Sequence, residues 1–275
     1  MNNLTVRTIS GVGFVILMLA CLLFNKFLFA ALILFIMSTM LAEFFKMTMG
    51  EDYKFSRILA IVAACILFIL VFLNAAFGVA VKFISLSLLP VLIVMINSLL
   101  VKDKTEFHKF AFIYTGLLYI AVPMSLSNLI AFNGGEFNTM LLFFFFVIIW
   151  CSDIGAYCFG LTLGQKYGRK LCPKISPKKS WIGFWGGMLC AVIGAVVLNT
   201  TKLFDFPLIH CIILAVLMDV AGVFGDLFES MWKRSCDVKD SGTIIPGHGG
   251  MLDRFDSAIF AIPVGAIYLS LMNLI

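Results

Sequence analysis

Most of the side chains in this sequence that can take part in chemistry lie in one stretch, from Gly225 to Ser257. The stretch combines four Lys or Arg residues with several Asp and Glu residues and one His, whereas the sequence on either side is almost wholly apolar. Charged side chains beside a bilayer are costly, so this concentration points to a functional site.

The stretch begins on the end of an apolar helix. Asp226, Glu229, Ser230 and Lys233 are spaced at i, i+3, i+4 and i+7, and this spacing places all four on one helix face. We expect this polar face to point into the protein rather than toward lipid.

A glycine-rich loop is predicted to follow the helix. The helix should end near 240–242, because turn-forming residues crowd the next positions: Gly242, Pro246, Gly247, Gly249 and Gly250. Glycine allows backbone N–H groups to come close to a bound anion. The segment around His248 is therefore typical of a phosphate-binding loop.

Carboxylates on both sides of this loop predict a metal site. Asp226 precedes the loop, and Asp253 and Asp256 follow it, just before a final apolar run. Mg²⁺ prefers a few carboxylate oxygens together with the phosphates of a substrate. Asp226 and Asp253, with nearby basic residues and an accessible loop backbone, therefore indicate a magnesium–polyphosphate site.

The same residues carry a resemblance to a known family. The run of KR, four residues, KDSG, IPGHGG and LDRFD between Ser230 and Asp256 resembles the signature of phosphatidate cytidylyltransferases, also called CDP-diacylglycerol synthases. Two further motifs are similar to that family and stand in the expected order, namely DIGAY at 153–157 and SPKKS at 176–180. The rest of the chain resembles the family only in being hydrophobic.

The resemblance implies a reaction. The substrates would be CTP and phosphatidate, and the products would be CDP-diacylglycerol and pyrophosphate, in phospholipid biosynthesis. The implied metal ligands are Asp226, Asp253 and Asp256, holding Mg²⁺, and whether a monovalent cation joins it is left open. A homodimer is compatible with the family.

The resemblance also implies which side chains serve the reaction. The residues implied in catalysis are Asp226, Asp253, Lys233, Arg234 and Lys239. The residues implied in binding the nucleotide or the lipid are Ser176, Lys179, Ser180, Ser230, His248, Gly249, Gly250, Arg254 and Asp153. The chain departs from the family pattern at Ile182, where a Glu is typical, so a role assigned to that acid does not transfer. Ser180 in place of Thr is a conservative departure, and Leu161 in place of a basic residue is a minor one.

Composition fixes the structural class independently. With 62% hydrophobic residues, 29 Phe and 13% charged residues, the chain is predicted to be an all-α, polytopic membrane bundle. A membrane-spanning helix needs about 20 apolar residues. We predict about nine spans, at 9–24, 27–45, 58–73, 76–101, 110–131, 139–160, 182–199, 207–228 and 257–275. Residues 1–131 carry no recognised chemistry, and residues 132–275 form a catalytic half with polar loops at 161–181 and 229–256.

The basic residues predict an orientation. If the chain crosses nine times, 17 of the 20 Lys and Arg residues fall on the side that carries the N-terminus, and only Lys26, Lys82 and Lys202 lie on the other. The positive-inside rule makes that side cytoplasmic, together with both polar loops. We therefore expect an integral protein of a bacterial inner (plasma) membrane with a cytoplasmic active site. The net charge of +5 is explained by this topology and by contact with membrane lipids, and no nucleic-acid partner is expected.

Three acids outside the C-terminal stretch have two interpretations each. Glu43 ends the second span, and we interpret it as a solvated helix terminus rather than a ligand. Asp153 is either a helix-end acid or a site residue, and the resemblance favours the site. Asp219 either extends the acidic face of Asp226 deeper into the bundle or pairs structurally with a Lys or a hydroxyl.

Two other functions remain as alternatives. An enzyme could use CTP with another lipid or polyprenol acceptor, which would leave the site chemistry unchanged. A secondary transporter would show inverted repeats and charges near the membrane midplane, and the sequence shows no such repeat.

Overall fold

The computed structural model describes the chain except for residues 1–2, 52, 101–103, 203–205, 245–246 and 248, and except for the side chains of 3–9 and 104–106. The α-helices in chain order are α1 (Asn3–Phe24), α2 (Lys26–Met49), α3 (Lys54–Phe77), α4 (Leu88–Leu99), α5 (Phe110–Gly116), α6 (Val122–Ala131), α7 (Met140–Phe159), α8 (Gln165–Tyr167), α9 (Trp181–Thr200), α10 (Leu208–Ser235) and α11 (Leu252–Leu271).

Short segments of other helix types connect several of these helices. The 3-10 helices Val81–Ser87 and Lys104–Lys109 precede α4 and α5, and the π-helical segments Leu117–Ala121 and Gly160–Gly164 follow α5 and α7. As a result, α5 and α6 form one continuous helical span, and α7 and α8 form another.

Eight helical segments in the described part of the chain are long and apolar enough to cross a membrane. They are Lys26–Met49, Lys54–Phe77, Val81–Leu99, Phe107–Ala131, Met140–Tyr167, Trp181–Thr200, Leu208–Ser235 and Leu252–Leu271. A shorter apolar helix, Ser10–Phe24, precedes them. The predicted all-α membrane bundle of about nine helices is confirmed, and the chain is an integral membrane protein.

The chain divides into two compact units. The first comprises residues 1–137 and 240–254, and the second comprises residues 138–239 and 255–275. The glycine-rich loop, which contains Gly249 and Gly250, therefore belongs to the same unit as the N-terminal helices. The residues before it on α10 belong to the other.

The first unit is built on α3, which packs against α2, α4 and α6. Its core is rich in phenylalanine, because Phe29 and Phe68 are fully buried and Phe72 contacts Phe132 with ring centroids 5.6 Å apart. Phe132 opens a two-residue strand, β1 (Phe132–Asn133), that pairs antiparallel with β2 (Glu136–Phe137). Aromatic side chains of this size supply large apolar contact areas inside a helical bundle.

The second unit is organised by close contact between α7 and α9, with α10 packed against both. A Cβ atom added at Gly155 of α7 would lie 2.6 Å from the carbonyl oxygen of Gly186 on α9, and one added at Gly187 would lie 2.9 Å from the carbonyl oxygen of Ser152. Small residues let transmembrane helices approach this closely, which favours association through van der Waals contact.

Between α7 and α9 the basic segment forms a β-hairpin. Strand β3 (Lys170–Cys172) pairs antiparallel with β4 (Ser176–Ser180), so the SPKKS motif is a strand where the sequence suggested only a polar loop. Ser180 ends the strand and caps α9, because its Oγ accepts a hydrogen bond from the N–H of Gly183 at 3.1 Å. Serine is a favoured N-cap residue because it satisfies one of the unpaired amides of the first turn.

The two C-terminal helices extend beyond the predicted spans. Helix α10 continues past 228, the predicted end of the span, and ends at Ser235, before the predicted helix end near 240–242; α11 starts at Leu252 instead of 257. The predicted spans covered mainly the apolar residues, whereas a helix accommodates charged side chains as long as its backbone hydrogen bonds continue. Asp226 and Asp253 are thus helix residues, and the connecting loop is shorter than the predicted segment 229–256.

The close approach of α7 and α9 leads to a stability prediction. Gly155→Ala places a methyl group against backbone atoms, so it should destabilise the protein by about 1–3 kcal/mol, as overpacked sites do. Gly13→Ala is the matched control, because nothing lies within 4 Å of a Cβ atom at that helical position. Thermal unfolding of the detergent-solubilised protein should show a lower midpoint for Gly155→Ala alone; equal midpoints would contradict the packing.

Candidate active site

In the second unit, the polar face predicted for α10 is present. The hydroxyl of Ser230 donates to Oδ1 of Asp226 at 3.3 Å, and the ammonium of Lys233 forms an ion pair with the carboxylate of Glu229 one turn away. Glu229 is completely buried, whereas Asp226 is only partly buried. Glu229 is thus held by a lysine of its own helix, whereas the more accessible Asp226 can also contact side chains from other elements.

One of those partners comes from the β-hairpin. The ammonium of Lys179 on β4 forms an ion pair with Oδ2 of Asp226. Both side chains remain partly accessible, so the pair stands at a surface that a solute can reach. This contact joins the SPKKS motif to the α10 motif, and the sequence alone could not establish that connection.

A second carboxylate approaches the same place from α11. A Cβ atom added at Gly225 would lie 3.3 Å from the carbonyl carbon of Asp256, so the absence of a side chain at Gly225 lets α10 approach α11 closely. Oδ1 of Asp256 accepts a hydrogen bond from the N–H of Ser257 at 2.6 Å. Asp256 lies near enough to Asp226, Asp153 and Lys179 to interact with all three electrostatically. Asp256 and the ion pair of Lys179 with Asp226 therefore belong to one electrostatic cluster.

A cavity of about 470 Å³ opens beside this cluster. Its polar wall contains Asp153, Asp219, Asp226 and Lys179. Much of the remaining wall is apolar, formed by residues such as Ile149, Leu161, Leu171, Phe184, Met218 and Val223. A cavity with a charged region and apolar walls suits a ligand with an ionic headgroup and hydrocarbon chains.

Asp219 has a structural partner and also lines the cavity. It is 2% exposed, and Oδ1 accepts a hydrogen bond from the hydroxyl of Ser152 at 2.5 Å. The sequence offered two interpretations of Asp219, and both apply. A hydroxyl pairs with Asp219, and Asp219 lines the same cavity as Asp226, so it extends the acidic face of α10. The residue was missing from the predicted site because its signal was only a spacing of two helical turns.

The first unit contains a separate acidic cluster around the glycine-rich loop. Oδ2 of Asp253 accepts hydrogen bonds from the N–H of Gly250 at 2.8 Å and from the N–H and hydroxyl of Ser241 at 2.9 and 3.0 Å. The same hydroxyl lies 3.1 Å from Oε2 of Glu43. Asp253 thus connects the beginning of the loop with its end.

The interpretation of Glu43 as a solvated helix terminus is wrong. Glu43 is 7% exposed, and its oxygens accept hydrogen bonds from the N–H groups of Met251 and Leu252, each at 2.9 Å. Its position at the end of an apolar run suggested solvent. The partners that bury it come from the other end of the chain, and no local pattern reveals them.

The other predicted residues occupy more open positions. Arg234 donates to the carbonyl oxygen of Val238 at 3.4 Å, and Lys239 and Arg254 are exposed. Ser176 is half-buried at the start of β4. His248 lies outside the described residues. Gly249 has φ 87°, a conformation that favours glycine.

The carboxylates of the second unit bear on the predicted magnesium site. Within the described residues, no group of three or more His, Cys, Asp or Glu side chains is placed so that it could hold a metal ion. Asp256 interacts electrostatically with Asp226 and Asp153, and the ammonium of Lys179 forms an ion pair with Asp226. Mg²⁺ needs few protein ligands, because water and phosphate complete its shell. A magnesium site that includes Asp226 and Asp256 therefore stays a prediction.

Comparison with known proteins places the chain in a family. A family model described as the cytidylyltransferase family matches residues 5–272. The chain belongs to the cytidylyltransferase family. The resemblance drawn from the motifs is confirmed, and the protein is accordingly a nucleotidyltransferase.

Individual relatives carry one shared name, phosphatidate cytidylyltransferase. The protein from Bacillus subtilis (strain 168) is 38% identical over 188 residues, covering 68% of this chain and 68% of the relative. That from Rickettsia bellii (strain RML369-C) is 40% identical over 159 residues, covering 56% and 67%. That from Staphylococcus saprophyticus subsp. saprophyticus is 36% identical over 172 residues, covering 62% and 64%. The matched segments thus span about two thirds of these relatives, while the family model spans nearly all of this chain.

The ion pair between Lys179 and Asp226 gives a prediction for the cytidylyltransferase. Lys179→Gln removes the cation that pairs with Asp226 and interacts electrostatically with Asp256, so cytidylyl transfer should fall by about 100-fold, as when one preorganised donor is lost from an active site. Lys174→Gln, in the exposed turn of the same hairpin, removes the same charge without touching the cluster. Initial rates in detergent micelles measure the difference, and equal rates for both variants would exclude a role for Lys179.

Proposed function

We propose that this protein transfers the cytidylyl group of CTP to phosphatidate and forms CDP-diacylglycerol and pyrophosphate, as a step in phospholipid biosynthesis. The observation that carries the proposal is the cavity of the second unit. Its polar wall combines three carboxylates with Lys179, and its remaining walls are largely apolar, as a substrate with a phosphate headgroup and acyl chains requires. Family membership and the motifs support the same reaction.

The chemistry needs no dedicated base. An oxygen of the phosphatidate phosphate attacks the α-phosphorus of CTP, the bond to the β-phosphate breaks, and pyrophosphate leaves in line. A phosphate monoester has a second pKa of about 6, so it is already mostly a dianion at neutral pH. The barrier arises from bringing two anions together, and catalysis consists of neutralising and aligning them.

We infer that Asp226 and Asp253, supported by Asp256, are the ligands of Mg²⁺. Held by these carboxylates, Mg²⁺ would supply positive charge that neutralises the phosphate oxygens of the substrates. Among the contacts described, Lys179 holds Asp226, and the amides of Ser241 and Gly250 orient Asp253. A monovalent cation accompanying Mg²⁺ is compatible with the local charge, since Asp153, Asp226 and Asp256 interact within one cluster that includes Lys179.

Cations and hydroxyl groups are proposed to bind the phosphates. The basic residues with this role are Lys179, Lys233, Arg234, Lys239 and Arg254, and the hydroxyl and backbone groups are those of Ser176, Ser180, Ser230, His248, Gly249 and Gly250. Asp153 completes the set beside the cavity. Helix N-termini suit phosphate binding, and Ser180 stands at the first turn of α9.

The location of the site follows from the charge distribution. We propose that the N-terminus and both polar segments face the cytoplasm of a bacterial inner (plasma) membrane, where CTP is available. In that location the membrane lipids surround the protein and also supply its lipid substrate. Nucleic acid has no place in the proposal, and a homodimer would be compatible with it.

Radioactive CTP distinguishes this function from its alternatives. Membranes that contain the protein, supplied with Mg²⁺, phosphatidate and α-labelled CTP, should transfer label into the organic phase. If label enters the organic phase only with another lipid phosphate or a polyprenol phosphate, that lipid is the acceptor. In a parallel reaction with γ-labelled CTP, entry of label into the organic phase would indicate a kinase. Entry of neither label with any of these lipids would support a transporter and overturn the proposal.

Two carboxylate variants test the metal ligands. Asp226→Asn and Asp253→Asn should each lower cytidylyl transfer at least about 100-fold, since each removes a charged ligand from a metal that neutralises phosphate oxygens. Asp237→Asn is the control, because Asp237 is exposed just beyond α10. Raising Mg²⁺ should restore part of the activity of the first two variants. Near-normal rates in Asp253→Asn, with membrane insertion intact, would remove Asp253 from the ligand set.

A further inference from the structure

Glu43 is connected to the glycine-rich loop by three hydrogen bonds. Oε1 accepts from the N–H of Met251, and Oε2 accepts from the N–H of Leu252 and from the hydroxyl of Ser241. Glu43 belongs to α2, and 208 residues separate it from Met251. A carboxylate of the N-terminal helices thus holds both ends of the loop from Asp240 to Leu252.

The position of these amides explains why a carboxylate is used. Leu252 is the first residue of α11, and the amides in the first turn of a helix have no partner within the helix. A negative charge there is favourable because the helix dipole places partial positive charge at the N-terminus. Serine or aspartate from the preceding residues usually fills this role. Here the cap comes from a distant helix, so the loop and α2 are fixed to each other.

The loop has glycine at the two positions that face this carboxylate. A Cβ atom added at Gly242 would lie 2.7 Å from the carboxyl carbon of Glu43, and one added at Gly250 would lie 2.5 Å from Oε2. Neither glycine has the positive φ that would itself favour glycine. The space taken by Glu43 therefore accounts for two of the glycines in this segment.

Glu43 also acts on Asp253 through a shared donor. The hydroxyl of Ser241 lies 3.1 Å from Oε2 of Glu43 and 3.0 Å from Oδ2 of Asp253. A hydroxyl carries one proton, so Ser241 can donate a hydrogen bond fully to only one of the two acids at a time. The main-chain amides of Met251 and Leu252 let Glu43 remain satisfied when Ser241 donates to Asp253.

We propose that Glu43 is a positioning residue of the enzyme: it caps α11 and holds the glycine-rich loop in the conformation that presents Asp253, Gly249 and Gly250 to the substrates. This inference rests on the proposed function, in which the same loop provides a metal ligand and phosphate-binding amides. Misplacement of such groups lowers the rate of the chemical step even when substrate still binds.

Glu43→Gln is the central variant. Glutamine keeps the size of the side chain, but its amide nitrogen would face a backbone N–H, so one of the two main-chain hydrogen bonds is lost. We expect kcat for cytidylyl transfer to fall by about 30–100-fold, which corresponds to about 2.0–2.7 kcal/mol, because a hydrogen bond to a charged group is stronger than one between neutral groups. The KM for phosphatidate should stay within about threefold of the original value, a shift of under 1 kcal/mol. Glu43→Asp, which keeps the charge on a shorter side chain, should recover part of the rate.

Two controls separate positioning from stability. Glu51→Gln removes the same charge from an exposed residue whose surface ion pairs with Lys46 and Arg57 are each 3.9 Å long. Phe68→Leu weakens the buried core of the same unit, where Phe68 lies beside Phe29 of α2. Glu51→Gln should match the unmodified enzyme, and Phe68→Leu should lower the unfolding midpoint while leaving kcat per folded molecule unchanged.

Hydrogen exchange gives a readout that does not depend on activity. In the full-length protein in detergent, peptides covering residues 250–252 should exchange at least about 10-fold faster in Glu43→Gln than in the unmodified protein, since the lost bond contributes 1.4 kcal/mol or more. The same peptides in Glu51→Gln should exchange at the original rate.

The outcomes have separate meanings. A lower kcat together with faster exchange at 250–252 supports the inference. Unchanged kcat, unchanged exchange, or a loss of kcat that Phe68→Leu reproduces at equal stability would each overturn it. Absence of label transfer by the unmodified protein would overturn the proposed function and the catalytic part of this inference, whereas the exchange data would still report on the hydrogen bonds of Glu43.

Discussion

A carboxylate buried at the edge of a membrane protein must be surrounded by donors or cations, because water is not available to solvate it. The structure meets this requirement for the α10 acids Asp226 and Glu229 with lysine, and for Glu43 with amides and a hydroxyl. Asp226 and Glu229 are held by Lys179 and Lys233, respectively. Glu43 is held by main-chain N–H groups and Ser241. The lysines can exchange partners with a phosphate ligand, whereas amides are fixed by the backbone, so the first arrangement suits binding and the second suits orientation.

Glycine has a related function in both units. Gly225 allows two helices to approach so that Asp226 and Asp256 come within electrostatic range, and Gly250 leaves room for the oxygens of Glu43. In each case the missing side chain creates space next to a carboxylate. The glycines of the C-terminal stretch therefore make room for carboxylates, in addition to the turn formation and anion binding that the sequence indicated.

The sequence predicted what depends on local pattern. Apolar segments of sufficient length gave the spans, and helical spacing placed Asp226, Ser230 and Lys233 on one face, as the hydrogen bond between Ser230 and Asp226 bears out. The sequence did not reveal what depends on distant partners. The hairpin that carries Lys179 looked like a polar loop, because its strands are short and rich in lysine. Glu43 looked solvated because the amides that bury it lie at the other end of the chain. The residues proposed to bind metal and phosphate remain predictions, because they were identified from the resemblance and from the types of their side chains.

The long separation between Glu43 and its partners has a consequence for biosynthesis. A ribosome adds about 5–20 residues per second, so the 208 residues between Glu43 and Met251 take on the order of 10–40 s to make. During this interval the carboxylate has been inserted with α2, but the amides that cap it have not yet been synthesised. The nascent protein must keep Glu43 near the aqueous interface until α11 has been made, and the N-terminal unit can reach its final form only after Met251 and Leu252 have been added to the chain.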